Sequence, residues 1–430
     1  MAETALEKAK ETVEGLMNFR DTYVTCYGLQ SIHNKKLEVE KRLKEVITAL
    51  DHLQLSIEDK ATFFYLRGKA LNVVQDYDPQ ALDCLSKAVK LDPGMVEAWN
   101  ELGECYWKNK DIDAAKNCFT GAIAKKKNKV SLRSLSMVQR QMGKNFEERL
   151  ENIRTSVDTA KEAVSLDITD GQSWFVLGNA YMSMFFFAGQ NPASLKQCMA
   201  AYMRAEKDER STHNPDLYFN RAVALRYQED FDLAIADYKR SSQLDPEWDS
   251  PSEEMDDLIK RLQVTQDFIQ NKGSMKPKKL KHLLSHIKDA DLGPFINGSY
   301  TSPLQKSVVL KKVMLADLHP GMNPEVVVNG KIVALVPVKE PVPFVSIMID
   351  ANQTCMAVSI FNMGAGKGPI IGDSIAIPEP YVQKVDISVS EQQFSFLSIR
   401  VDNPVVMVIN KHKVSKERLA FSVLSVSNIT

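Results

Sequence analysis

One recurring spacing constrains this chain more than any other feature. AWNELGECYW, residues 98–107, sets Trp99, Leu102-Gly103 and Tyr106 at helical intervals. SWFVLGNAY, residues 173–181, repeats them as Trp174, Leu177-Gly178 and Tyr181. A second set of small and ring residues follows each copy: Ala115, Phe119 and Ala122 in one, Cys198, Tyr202 and Ala205 in the other. Weaker copies run from Phe64, Gly68 and Leu71 to Ala81, Leu85 and Ala88, and from Tyr218, Ala222 and Leu225 to Ala234, Tyr238 and Ser241. A degenerate copy joins Leu132, Leu135 and Ser136 to Ala160, Ala163 and Leu166. KLDP, SLDI and QLDP mark the same turn in three units, and proline there stops a helix. Small residues facing rings let two helices approach closely. One such pair cannot bury its own surface, so successive pairs must stack.

The pattern resembles the tetratricopeptide repeat, W-x2-L-G-x2-Y, A-x3-F, then P. That resemblance implies an α-solenoid over residues 60–272, ending in a capping helix through LIKRLQVTQDFIQNKG. Residues 1–59 read as an atypical first pair, with helices near 3–29 and 34–55 and an apolar face including Leu43, Ile47, Leu50 and Leu53. The inserts QMGKNFEERLENIRTS and SMFFFAGQNPASLKQ lengthen helices or turns without breaking the stack. Residues 273–284, with Lys276, Lys278, Lys279 and Lys281, read as a basic linker that is either solvated or an electrostatic foot on RNA or another acidic surface.

From about residue 285 the period drops to two. EVVVNGKIVALVPV, PFVSIMID, TCMAVSIFN, FSFLSIRV and NPVVMVINKHKV alternate apolar and polar positions between turn residues. In PFVSIMID, Val345, Ile347 and Ile349 alternate with Ser346, Met348 and Asp350, as in a half-buried strand. Residues 285–430 therefore read as a small all-β barrel, and IIGDSIAIPEP resembles the later strands of an oligonucleotide/oligosaccharide-binding (OB) fold; a β-sandwich is the alternative. Acids match the basic residues here and aromatics are few, which favours a structural or protein-docking barrel over single-strand binding.

The remaining chemistry is sparse. The chain has 430 residues, a formal net charge of -1 and 25% charged residues, so its global charge points to no nucleic-acid or membrane partner. Six scattered cysteines without a C-x-x-C pair fit free thiols in a reducing compartment. The start alternates acids and lysines unlike a signal peptide, which leads us to expect cytoplasmic and nuclear residence. GAGKGP, residues 364–369, lacks the Ser or Thr and the helix of a P-loop. His282 and His286 lie four apart with no clear third metal ligand. No nucleophile elbow or kinase signature occurs, so neither an enzyme nor a cofactor is expected.

The first helix of each pair leaves one face for a groove. Its positions include Glu101 and Glu104, then Arg133 and Arg140, then Asn179, then Asp216, Asn220 and Arg226. Carboxylates mixed with a few arginines suit an extended peptide bearing adjacent positive and negative groups.

A narrower resemblance rests on KALNV, LSKAVKLDP, VEAWNELGECYWK, NKVSL, SLSMV, GQNP, NPDL, KKL, LGP and GDSIAIPEP. Together these are similar to a family that joins tetratricopeptide repeats to a terminal OB fold. The resemblance implies a non-enzymatic cofactor. In the cytosol it implies recognition of the Met-Arg-Glu start of nascent tubulin at the ribosome, followed by decay of tubulin messages. In the nucleus it implies scaffolding of a histone acetyltransferase complex with a stress-responsive tumour suppressor. Arg140 and Asp216 match the family's peptide-reading positions, and Lys276, Lys278 and Lys279 its ribosome-facing run. A third acidic position has no clean match at Asp249-Ser250.

Overall fold

The computed structural model describes residues 5–52, 59–297, 299–301, 307–337, 343–389 and 391–420. Residues 53–55 of the expected second helix, residues 3–4 of the first and residues 421–430 of the expected barrel lie outside that set. The described residues divide into two compact units: one holds those up to Ala224 with Asp237–Pro251, the other Leu225–Ala236 with those from Ser252 onward.

The helices run in antiparallel pairs. The first pair is α1 (Ala5–Tyr27) and α2 (Lys35–Asp51). Five repeat pairs follow: α3 (Lys60–Leu71) with α4 (Pro79–Leu91), α5 (Val96–Lys108) with α6 (Ile112–Lys125), α7 (Lys129–Gln139) with α8 (Phe146–Leu166), α9 (Gly171–Phe187) with α10 (Pro192–Ala205), and α11 (Pro215–Gln228) with α12 (Phe231–Leu244). Asp and Asn start many of these helices. Asp78, Asp111, Asn128, Asn145, Asp170 and Asn191 each accept a backbone N–H of the first turn, a cap worth about 1 kcal/mol. The two inserts appear as length: α8 has 21 residues and α9 runs on to Phe187.

The recurring motif works as close packing. A Cβ on Gly103 would stand 2.6 Å from the Phe119 ring, and one on Gly178 would stand 2.5 Å from the Tyr202 ring. Ala98, Ala115 and Ala122 are fully buried. Each motif tryptophan also ties its helix to the preceding turn: Trp99 Nε1–H donates to Pro93 O at 3.0 Å and Trp174 Nε1–H to Ile168 O at 2.9 Å. First helices touch the first helices of neighbouring pairs, α3 with α5, α5 with α7 and α7 with α9. They form one continuous wall within this unit.

In the second unit, six longer strands are β1 (Val326–Leu335), β2 (Phe344–Ile349), β3 (Cys355–Ile360), β4 (Ser374–Pro378), β5 (Tyr381–Val389) and β6 (Gln392–Val401). The ladder runs β4-β1-β2-β3-β6-β5, antiparallel except for the parallel β3–β6 pair. Its two end strands follow one another in sequence across Glu379-Pro380. There Glu379 takes φ 44° and its N–H donates to Val326 O at 2.8 Å. Residues 374–389 are therefore one bent run, its first half paired with β1 and its second with β6. Counted as one strand, it gives the five of an OB fold.

Two expectations need correction. PFVSIMID is buried on both faces. Met348 faces the inner core with Val328, Ile332 and Val358, while Val345, Ile347 and Ile349 meet helical side chains outside. Those side chains are Val264, Phe268 and Ile269 of α13 (Ser250–Gln270), with Leu280, Leu283 and Leu284 of α14 (Pro277–Leu284). The stretch 273–284 accordingly folds largely as a helix on the sheet, and residues 252–272 belong to the β unit. The leucine spacing gives α14 one apolar stripe, which its lysines obscure in sequence.

Candidate functional site

The arginines at groove positions meet different fates. Arg133 Nη1 lies 3.1 Å from Asp170, and Arg226 pairs with Glu254. Arg140, at the C-cap of α7, is 6% exposed, yet its buried Nε and Nη1 have no hydrogen-bond partner among the described residues. Burial pulls its guanidinium down to about 10, so it remains a cation at neutral pH. An unpaired buried charge is costly, and an incoming carboxylate removes that cost.

Beside it lies a polar cluster built from three helices. Asn179 (α9) and Asn220 (α11) are buried; Tyr202 (α10) reaches them from below with a fully buried ring. Tyr202 Oη–H donates to Asn179 Oδ1 at 2.7 Å, and Asn220 Nδ2–H donates to the same oxygen at 3.1 Å. α7, which Arg140 caps, packs against α9, and the Arg140 charge favours ionisation of the Tyr202 hydroxyl against the larger effect of burial. Asp216, 2% exposed, stands one turn before Asn220 on α11, and its backbone N–H donates to Asn214 Oδ1 at 3.0 Å.

Glu101 and Glu104 belong to a separate network upstream. Asn72 Nδ2–H donates to Glu101 Oε2 at 2.9 Å, while Lys108 Nζ donates to Asn72 O, Asn72 Oδ1 and Val74 O, each at 2.8 Å. Lys108 also pairs with Glu104 at 3.1 Å. The structure therefore gathers Arg140, Asn179 and Asn220 with Tyr202, and keeps the two glutamates apart with partners of their own. Sequence reasoning placed Tyr202 in the core alone. The signal for more was a tyrosine where the repeat carries phenylalanine. Lys276, Lys278 and Lys279 are exposed in and just before α14. No group of three or more His, Cys, Asp or Glu side chains is arranged to hold a metal among the described residues. No described helix is long and apolar enough to cross a membrane.

Comparison with known proteins supplies the lineage. Residues 309–423 match the tetratricopeptide repeat protein 5 OB fold domain, and residues 61–116 and 215–247 match tetratricopeptide repeats. The chain is similar to tetratricopeptide repeat protein 5 of Homo sapiens, 40% identical over 407 residues, covering 94% of this chain and 92% of the relative. The Bos taurus protein of that name is 40% identical over 423 residues, covering 98% and 96%. The chain belongs to the tetratricopeptide repeat protein 5 family. The Mus musculus member is 39% identical over 411 residues, covering 95% of this chain and 93% of that relative. Membership of the tetratricopeptide repeat protein 5 family accounts for the order of parts: helical repeats first, OB fold last.

Proposed function

We propose that this protein is a non-enzymatic adaptor whose repeat groove holds an extended peptide carrying a positive group next to a negative one. Arg140 binds the ligand carboxylate, Asp216 receives the ligand arginine or amine, and Asn179 and Asn220 hold the polar floor between them. The observation that carries this reading is the buried Arg140 guanidinium with two nitrogens unpartnered among the described residues. By family resemblance the peptide is the Met-Arg-Glu start of nascent tubulin, presented at a cytosolic ribosome, with Lys276, Lys278 and Lys279 facing ribosomal phosphates. A nuclear role in scaffolding a histone acetyltransferase complex rests on the same resemblance.

The test is recovery of the protein on ribosomes translating tubulin. Intact protein is expected to be retained, and Asp216→Lys or Arg140→Glu to be lost while circular dichroism stays unchanged. Retention of both variants would reject the groove as the reader. Single-strand binding through the barrel is the weaker reading. OB folds use the face of strands 2 and 3 for that purpose, and here side chains of α13 and α14 fill the outer face of β2.

A further inference from the structure

Two donors orient the Asn179 amide. Its Oδ1 already accepts Tyr202 Oη–H at 2.7 Å and Asn220 Nδ2–H at 3.1 Å. Turning the amide over would set its NH2 against that of Asn220, donor facing donor. Nδ2 is thus held on the side of the amide away from both donors. Arg140, whose Nε and Nη1 are unpaired among the described residues, caps α7, the helix that packs against α9.

We infer that Tyr202 is a positioning residue for ligand recognition: its hydroxyl locks Asn179 so that Nδ2 gives the carboxylate bound by Arg140 a second hydrogen bond. This deepens the peptide reading above and rests on it. Two donors from different helices define where a carboxylate oxygen must sit, whereas a lone guanidinium specifies charge with less control of position. The phenyl ring of Tyr202 fills the space over Gly178. Packing and positioning therefore reside in separate parts of the same side chain, and Tyr202→Phe removes only the second.

The test uses the full chain and two synthetic peptides, one beginning Met-Arg-Glu and one beginning Met-Arg-Ala, with binding followed by fluorescence anisotropy. Wild type should prefer the glutamate peptide. Tyr202→Phe should weaken that peptide about three- to tenfold, the worth of one neutral hydrogen bond, and leave the alanine peptide unchanged. Asn179→Leu removes the donor at similar volume without adding a charge beside Arg140, and should erase the preference. A purely structural tyrosine would weaken both peptides alike; that result, or an unchanged preference in both variants, overturns the inference while leaving the groove reading intact. A wild type indifferent to glutamate overturns both.

Discussion

Glu101 and Arg140 are charged residues on first helices of different repeat pairs, and their surroundings treat them in opposite ways. Around Glu101 the chain supplies its own answer. Asn72 donates to the carboxylate, Lys108 braces Asn72, and Glu104 pairs with Lys108. Burial first, and then the Glu104 charge, push Glu101 up to about 7, so a proton settles what hydrogen bonds do not. Arg140 has neither remedy. Its two inner nitrogens lack acceptors among the described residues, and at about 10 its guanidinium keeps its proton at neutral pH. A charge satisfied by its own chain is architecture, whereas one left wanting is an invitation to a ligand.

That contrast can be broken most directly at Arg140. Arg140→Met should cost a Met-Arg-Glu peptide about 2–5 kcal/mol of binding, read by calorimetry, and should leave folding stability equal or higher because a buried unpaired charge is gone. Upstream the reverse should hold. Lys108→Met strips the donor from three backbone and side-chain oxygens, and should destabilise the fold by about 2–4 kcal/mol in urea melts with peptide affinity unchanged. Peptide binding that follows Lys108 rather than Arg140 would invert the assignment.

The smallest effect concerns pH. Glu101 has a native pKa raised above its ordinary 4.5, so between that value and about 7 the folded chain holds a proton that the unfolded chain has released. Its contribution is complete below pH 4.5 and is lost as pH rises through about 7. Glu101→Gln should flatten that decline by roughly 1–3 kcal/mol, seen as melting temperatures that diverge from wild type between pH 4.5 and about 7 and run parallel above it.

The repeat half was legible because its motif is a packing code. Trp99, Gly103 and Phe119 must recur at fixed spacing for two helices to touch, and that spacing survives in sequence even where the Leu132 unit is degenerate. The β half was legible as alternation, yet alternation cannot say what covers the outer face. Val345, Ile347 and Ile349 therefore read as one side of a half-buried strand although both sides are covered. In residues 273–284 charge drew attention away from Leu280, Leu283 and Leu284, which with Pro277 at the first turn were sufficient to predict a helix. At the candidate site, helical position singles out Arg140, Asn179, Asp216 and Asn220, but equally Glu101 and Glu104, which lie in a network of their own. The sharing of Asn179 Oδ1 by two donors could not be read that way, because it depends on three helices meeting within hydrogen-bond reach.

The seating of α14 changes the meaning of its lysines. A loose tether with the same charges would have to surrender backbone freedom before it could match a row of phosphates. Here three leucines pin the stretch to the sheet, so the cations ride on a stiff comb whose pitch is set before any anion arrives.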